Sequence, residues 1–436
     1  VSPARSRAVE ILREVLERGG RATPLLAARG SGLSPEDHDL MRRIVLGVLR
    51  ERTALDAELA SASRIPWKKL APSLHEILEV ALYQVRHLDR VPEYAAVDQA
   101  VRQARGSGGD GAGRLVNGIL RTLTRRGAPA PLDPATADAA ALAVAFSHPG
   151  FLVARWLARF GRERTLSLLA ADNAPSGVDL MVNPRRTDRA ALAEALAAEG
   201  IVAEPSSLSP LALVVRSGNA VASPRFRAGH FAVQDAAGQA LPRLLPESDT
   251  LVDVAAAPGG KAFAAVALGR FRRVIALDRS PARLRLLVEA RARLGFPEVA
   301  AAAADAALPP LLEGAFDRVL FDAPCSGTGT LRKNPEVRWR LSPDAVERLA
   351  RAQESSLAAA ARLLAPGGFL LYSTCSLEEE ENERVVARVL ERDPGLELSP
   401  IDPPEGLAPF VEGGRLRIFP SPDTDGFTAH LLRRRV

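Results

Sequence analysis

From about residue 228 onward, five short apolar runs, TLVDVA, RVIALD, EVAAAA, RVLFD and FLLYST, alternate with amphipathic stretches at 260–268, 281–294, 343–364 and 378–391. Apolar runs separated by helix-period segments predict a mostly parallel, doubly wound sheet with helices on both faces. Ligands of such sheets sit at the carboxyl ends of the strands. The chemically unusual residues of this chain lie at those ends: Asp253, Asp278, Asp305 and Asp322 close the first four runs. The only two cysteines, Cys325 and Cys375, follow the fourth and fifth.

Two thiols are too few for a disulfide framework, and no Cys/His cluster has metal-ligand spacing, so no metal is expected. Both cysteines sit in Gly/Ser/Thr-rich loops rather than on apolar faces, which points to thiol chemistry at a shared site. Lysine usage narrows the site further. Of 57 basic residues only Lys68, Lys69, Lys261 and Lys333 are lysine, and two of these fall in motif-like loops. Where arginine is the default cation, a lysine marks a position that needs a compact ammonium. No run of about 18 apolar residues exists, so no membrane span is expected. The start, VSPARSRAVEILREV, has no apolar signal core, and a cytoplasmic protein is expected.

Ahead of the alternating region, residues 4–125 carry helical spacing at 4–19, 36–60, 71–88, 93–105 and 113–124, which predicts an all-helical domain over 1–130. That stretch holds 21 Arg/Lys against 15 Asp/Glu, while the remainder holds 36 against 37. The basic excess fits either a polyanion partner or ordinary surface charge. The Pro/Ala-rich 125–141 reads as a linker. Next, FSHPGFLVARW predicts a helix with Ser147 as its cap, and VDLMVNP, TDRAALAEALAAEG and LALVV complete a small α/β module. Linker and module occupy 131–227, and 228–436 form the third domain.

The first strand leads into VAAAPGGKA, where Gly259 and Gly260 open a helix. This is neither a P-loop, whose first glycine would fall at Ala255 and whose Ser/Thr is Ala262, nor a GxGxxG turn. Asp278 suits the hydroxyls of a ribose, and Asp305 an adenine amino group. Each acid alone reads as a helix cap or a turn. Four at successive strand ends describe a nucleoside-shaped pocket, and without a triphosphate loop S-adenosyl-L-methionine is a better guest than ATP.

The motifs FAVQDAAGQA, DVAAAPGGK, FDAPCSGTG, RKNPEVRW and LLYSTCSLEEEENE resemble those of RNA cytosine-5 methyltransferases. VPEYAAVDQAV and RLVNGILR resemble a NusB-like domain, and FSHPGFLVARW, MVNPRRT and DTDGFTAHLLRR match the connecting module and closing strands. Over nearly its whole length the chain is similar to the bacterial RsmB (Sun/Fmu) type, which methylates small-subunit (16S) ribosomal RNA. The resemblance implies an all-α NusB-like domain, a small α/β module and a Rossmann-like class I methyltransferase domain, acting as a monomer on ribosomal RNA. It makes Cys375 the nucleophile, Cys325 the thiol that assists release, Asp322 the general acid and Lys261 its supporting ammonium. The implied cofactor residues are Asp253, Ala255, Ala256, Ala257, Pro258, Gly259, Gly260, Lys261, Asp278, Arg283, Asp305 and Asp322. Arg332, Lys333, Asn334, Arg338 and Trp339 form a basic, aromatic loop suited to RNA. Glu378–Glu381 are expected on a solvated face. Many relatives carry Cys and Thr where Ala255 and Ala262 stand here. Two rival readings are an RNA-binding scaffold with a passive platform, and DNA cytosine methylation, in which the Cys325-type thiol would attack.

Overall fold

Residues 2–174 form a largely helical unit in the computed structural model, which describes residues 2–175 and 177–436. Helix α1 (Pro3–Arg18) buries Ala8, Ile11, Leu12 and Val15, one stripe at helical spacing. It is followed by α2 (Ala22–Gly30), α3 (Pro35–Ala62), α4 (Pro72–His87) and α5 (Glu93–Arg126), which bends at Gly108–Gly109. Ser34 caps α3 by accepting a hydrogen bond from the Asp37 N–H at 3.1 Å. Fully buried Ile11, Leu12, Ile44, Val48, Leu78 and Leu82 make the centre of this core. Truncating one of them, Ile44→Ala for example, would cost about 2–5 kcal/mol. Helices α6 (Ala139–Ala145) and α7 (Gly150–Asn173) complete the unit.

The helical unit also contains a segment from much later in the chain, Leu331–Leu341. Arg338 in this segment is 1% exposed. Its Nη1 donates to the carbonyls of Arg50 (3.2 Å) and Ser147 (3.0 Å) and to Asn173 Oδ1 (2.9 Å), and its Nη2 to the Asp172 carbonyl (3.3 Å). Trp339 Nε1 donates to the Leu49 carbonyl at 3.0 Å, and Glu336 accepts from the Ala22 N–H at 3.0 Å. Ser147 is not the cap of α7, where Pro149 takes that position. Instead Ser147 has φ +53°, and its hydroxyl accepts from the Ala54 N–H at 3.1 Å.

The second unit holds two sheets. β1 (Val178–Val182), β2 (Val202–Pro205), β3 (Ala212–Ser217) and β4 (Phe231–Val233) form an antiparallel sheet in the order β2-β3-β1-β4, with α8 (Arg189–Ala197) between β1 and β2. The short α9 (Pro224–Arg227) and α10 (Ala236–Ala240) flank β4. Asn183, after β1, donates to the carbonyls of Gly229 and Leu294, both at 2.8 Å, and so ties this module to the larger one.

The larger sheet is built from β5 (Thr250–Asp253), β6 (Arg273–Asp278), β7 (Val299–Ala303), β8 (Phe316–Asp322) and β9 (Leu364–Thr374), all parallel, in the order β7-β6-β5-β8-β9. Helices α11 (Gly260–Ala267), α12 (Pro281–Leu294), α13 (Pro343–Arg362) and α14 (Glu383–Arg392) separate or follow these strands. Then come β10 (Leu396–Ser399), β11 (Val411–Glu412), β12 (Arg415–Ile418) and β13 (Phe427–Arg434), which pairs antiparallel with β9. Strand order reverses between β5 and β8, the place where such sheets open a ligand crevice. Among the described residues no helix is long and apolar enough to cross a membrane.

Candidate active site

The loops after β5, β8 and β9 meet at that reversal. Cys325 Sγ and Cys375 Sγ lie 3.2 Å apart, both half-buried. The hydrogen bond to Cys375 pushes the Cys325 thiol well above its ordinary pKa, and burial and the nearby charges of Cys375, Glu381 and Asp322 add to the rise. Cys325 is thus held as a thiol facing the second sulfur.

Beside the thiols, Lys261 Nζ is 2.6 Å from Asp322 Oδ2, and Ser373 Oγ donates to Asp322 Oδ1 at 2.9 Å. Burial works against the Lys261 charge, but Asp322, by charge and hydrogen bond, together with Asp253 and Cys375, raises its pKa overall. The Lys261 side chain keeps 18% exposure and lies 5.5 Å from the centre of the Phe427 ring. Ammonium, carboxylate and two sulfurs therefore share one half-open site.

Several residues expected at a nucleoside site lie close together. Asp278 accepts from the N–H groups of Ala257 (3.2 Å) and Ser280 (2.9 Å) and pairs with Arg283 Nη1 at 3.3 Å. Arg283 Nη2 also donates to the Ala257 carbonyl. Ala256 N–H donates to the Leu277 carbonyl at 2.8 Å, so the Ala255–Pro258 loop is stitched to the end of β6. Gly259 has φ +106°, and a Cβ there would meet Phe263 at 2.6 Å and Leu287 at 2.9 Å, so only glycine fits. Asp305 stands apart: it is exposed, and its carboxylate accepts from the Ala307 N–H at 2.9 Å.

The residues present suit S-adenosylmethionine. Asp253 is 1% exposed, and its Oδ2 has no hydrogen-bond partner among the described residues. A buried, unpartnered carboxylate oxygen is costly unless a ligand donates to it. Burial pushes this carboxyl up to about 7, with Lys261 opposing and Asp322 adding. Among the described residues no group of His, Cys, Asp and Glu could hold a metal.

Two expectations are corrected. Glu378, Glu380 and Glu381 are buried, at 3%, 7% and 0% exposure, rather than solvated. Glu381 accepts from the Ser326 N–H (2.8 Å), from the Ser326 hydroxyl and from Gln353 Nε2 (3.0 Å). Ser326 Oγ lies 3.2 Å from Ser376 Oγ, so this one carboxylate anchors the loops of both thiols. Sequence reasoning missed it because a run of four acids reads as surface; its position one residue before Asn382 is the available signal. Asn382 Nδ2 holds the Cys375 loop through the carbonyls of Ser376 (3.1 Å) and Glu378 (2.7 Å).

The second correction concerns the basic loop expected to face RNA. Arg332 and Arg338 are each 1% exposed, and Trp339 packs on the core of the helical unit. The Arg338 guanidinium, engaged by the carbonyls of Arg50, Ser147 and Asp172 and by Asn173 Oδ1, is not offered to a phosphate. Lys333 and Asn334 are half-buried in the same segment.

Comparison with known proteins finds relatives over nearly the whole chain. The family model 16S rRNA methyltransferase RsmB/F matches residues 243–433, the NusB family residues 2–125, and an RsmF/B-like ferredoxin-like domain residues 148–222. The chain is 35% identical over 416 residues to the "Probable ribosomal RNA small subunit methyltransferase B" of Bacillus subtilis, covering 93% of each. It is 33% identical to the ribosomal RNA small subunit methyltransferase B of Vibrio cholerae, covering 92% of each. The crystal structure of PH0851 superposes with a TM-score of 0.82 at 25% identity, over 100% of this chain and 99% of that one.

Proposed function

The chain belongs to the 16S rRNA methyltransferase RsmB/F family, and we propose that it methylates the 5-carbon of a cytosine in small-subunit ribosomal RNA through a covalent Cys375–RNA intermediate. The observation that carries this reading is the 3.2 Å approach of Cys325 and Cys375 beside the Lys261–Asp322 pair. One thiol would suffice for attack alone. Two in contact suit a reaction in which one sulfur bonds the base and the other helps to free it.

The 5-carbon of cytosine is too weak a nucleophile to take a methyl group unaided. The Cys375 thiolate adds to the 6-carbon, and the displaced electron pair makes the 5-carbon enamine-like. Asp322, fed through Lys261, donates a proton to the ring nitrogen where charge collects. S-adenosylmethionine, when held by Asp253, Asp278 and Arg283 over the Ala255–Gly260 loop, supplies an electrophilic methyl group. Cys325 then assists transfer of the 5-proton to water. The electron pair from that C–H bond reforms the ring double bond and expels the Cys375 sulfur as a thiolate, and the ring-nitrogen proton returns to Asp322. Holding the groups on loops of one sheet supplies the orientation that the addition needs. The target base must be unpaired or flipped out to reach these sulfurs.

The test is a denaturing gel of Cys325→Ala and Cys375→Ala incubated with ribosomal RNA and S-adenosylmethionine. A protein–RNA adduct with Cys325→Ala, and none with Cys375→Ala, is expected. The reverse pattern would make Cys325 the nucleophile. No adduct in either, with no methyl transfer by the unaltered chain, would leave a scaffold.

A further inference from the structure

The two sulfurs are placed for one another as well as for a base. Strands β8 and β9 run side by side with Asp322 opposite Ser373, so the loops that follow them leave the sheet together. Ala323 N–H donates to the Ser373 carbonyl at 2.8 Å, and Gly329 N–H to the Cys375 carbonyl at 2.9 Å. The residue after each cysteine repeats the pairing, with Ser326 Oγ 3.2 Å from Ser376 Oγ. Thr328 Oγ1 accepts from the Leu377 N–H at 2.9 Å. Bonds on both sides of Cys325 and Cys375 thus hold the sulfurs in contact, all of them within the one unit that carries both loops.

From this pairing we infer that Cys325 and Cys375 are also a site of reversible oxidation, closing to a disulfide that withdraws the nucleophile. A disulfide is about 2.05 Å long, so sulfurs 3.2 Å apart need to close by only about 1 Å. Both cysteines are partly exposed, so a small peroxide can reach them. The charge of Cys375 helps to hold the Lys261 ammonium, which makes cation and sulfur neighbours. A thiolate beside a cation is the form that attacks an oxidant, and Cys325, held as a thiol, supplies the second sulfur.

The Cys375 thiolate attacks one oxygen of hydrogen peroxide. An S–O bond forms, the O–O bond breaks, and the hydroxide released takes up the proton that Cys375 gave up. Cys375 is now a sulfenic acid, oxidised by two electrons, and the peroxide is reduced. Cys325 then attacks that sulfur; the S–S bond forms, the S–O bond breaks, and hydroxide leaves as water with the Cys325 proton. Two thiols and one peroxide give one disulfide and two waters. A dithiol reverses the closure by exchange and is itself oxidised, whereas a sulfenic acid without a partner goes on to the irreversible sulfinic state. A second thiol at contact distance therefore protects the nucleophile that it silences.

Loss of methyl transfer on closure rests on reading Cys375 as the nucleophile, and the test separates the two. The reduced full-length chain is treated with hydrogen peroxide, blocked with N-ethylmaleimide and digested with trypsin, which cleaves between the cysteines at Lys333. The chain has no other cysteine, so a peptide pair joined through Cys325 and Cys375 is unambiguous. Expected are that linked pair, a fall in methyl transfer of about tenfold or more, and recovery to within about twofold after dithiothreitol. Oxidised Cys325→Ala should give no linked pair and should lose its Cys375–RNA adduct irreversibly, as sulfinic acid. Two blocked thiols after peroxide, a disulfide between two copies of the chain, or sulfinic acid at Cys375 in place of the linked pair would each overturn the inference. If Cys325→Ala traps RNA before oxidation while the unaltered chain forms no linked pair, only the oxidation site fails. Linked peptides with undiminished methyl transfer would overturn both the switch and the reading of Cys375 as the nucleophile.

Discussion

Arg338 in the helical unit and Lys261 in the catalytic unit are both cations largely withdrawn from water, and they are held in opposite ways. Burial lowers the pKa of Arg338 to about 10, and its hydrogen-bond partners are neutral carbonyls and an amide. Lys261 instead faces an ionisable partner, and Asp322 more than offsets the effect of burial on its charge. A guanidinium spread over fixed neutral acceptors makes a rigid joint. An ammonium on a carboxylate that keeps some exposure can change partners when a substrate arrives. The charge of Arg338 is used for architecture, and that of Lys261 is the one the proposed reaction draws on.

The contrast breaks most sharply at Lys261→Arg. Charge is kept and the compact ammonium is lost, so methyl transfer should fall about 100-fold or more in single-turnover assays. Retained activity would show that any cation serves and would remove the distinction. Next comes Glu381→Gln, which keeps the shape of the side chain but loses its charge-assisted hydrogen bonds to Ser326. It should lower thermal stability by about 1.5–3 kcal/mol and slow turnover about tenfold by loosening both thiol loops. A variant with unchanged turnover would confine Glu381 to a role in folding.

A smaller effect should follow pH. The Asp253 carboxyl is raised to about 7. A carboxyl raised in the folded state adds stability that is fully present below the ordinary carboxylate range and lost as pH climbs through about 7. S-adenosylhomocysteine, donating to the ionised group, should therefore raise the melting temperature more at pH 8 than at pH 6. Asp253→Asn should abolish that difference, and a difference that persists would move the effect to another group. Least of all, replacing exposed Lys68 and Lys69 by alanine should weaken RNA binding and flatten its salt dependence by about one to two phosphate contacts. An unchanged salt slope would take these lysines out of the interface.

The parallel strands were legible because each is an apolar run closed by an acid or a cysteine, and the loops because glycine, serine and threonine cluster after them. Pairing of Cys325 with Cys375 followed from their places at adjacent strand ends. Exposure was not legible. RKNPEVRWR has the same composition whether it faces a polyanion or fills a helical core, and only the carbonyls of Arg50, Ser147 and Asp172 decide between the two. Glu381 reads as surface until the donors of Ser326 and Gln353 are brought to it by β8 and α13. Ser147 has the identity of a cap, but a backbone at φ +53° cannot be read from its neighbours.

Because the helical unit comprises both Val1–Ala174 and Leu331–Leu341, it is not one contiguous stretch of the gene. Exchanging the leading domain between relatives by a single crossover would join a new set of helices to the old eleven-residue insert. Such a chimera would set Arg338 and Trp339 against carbonyls placed by a different helical packing. Recombination that preserves the module needs breakpoints on both sides of codons 331–341 as well as one near 174, so the two halves should be inherited together.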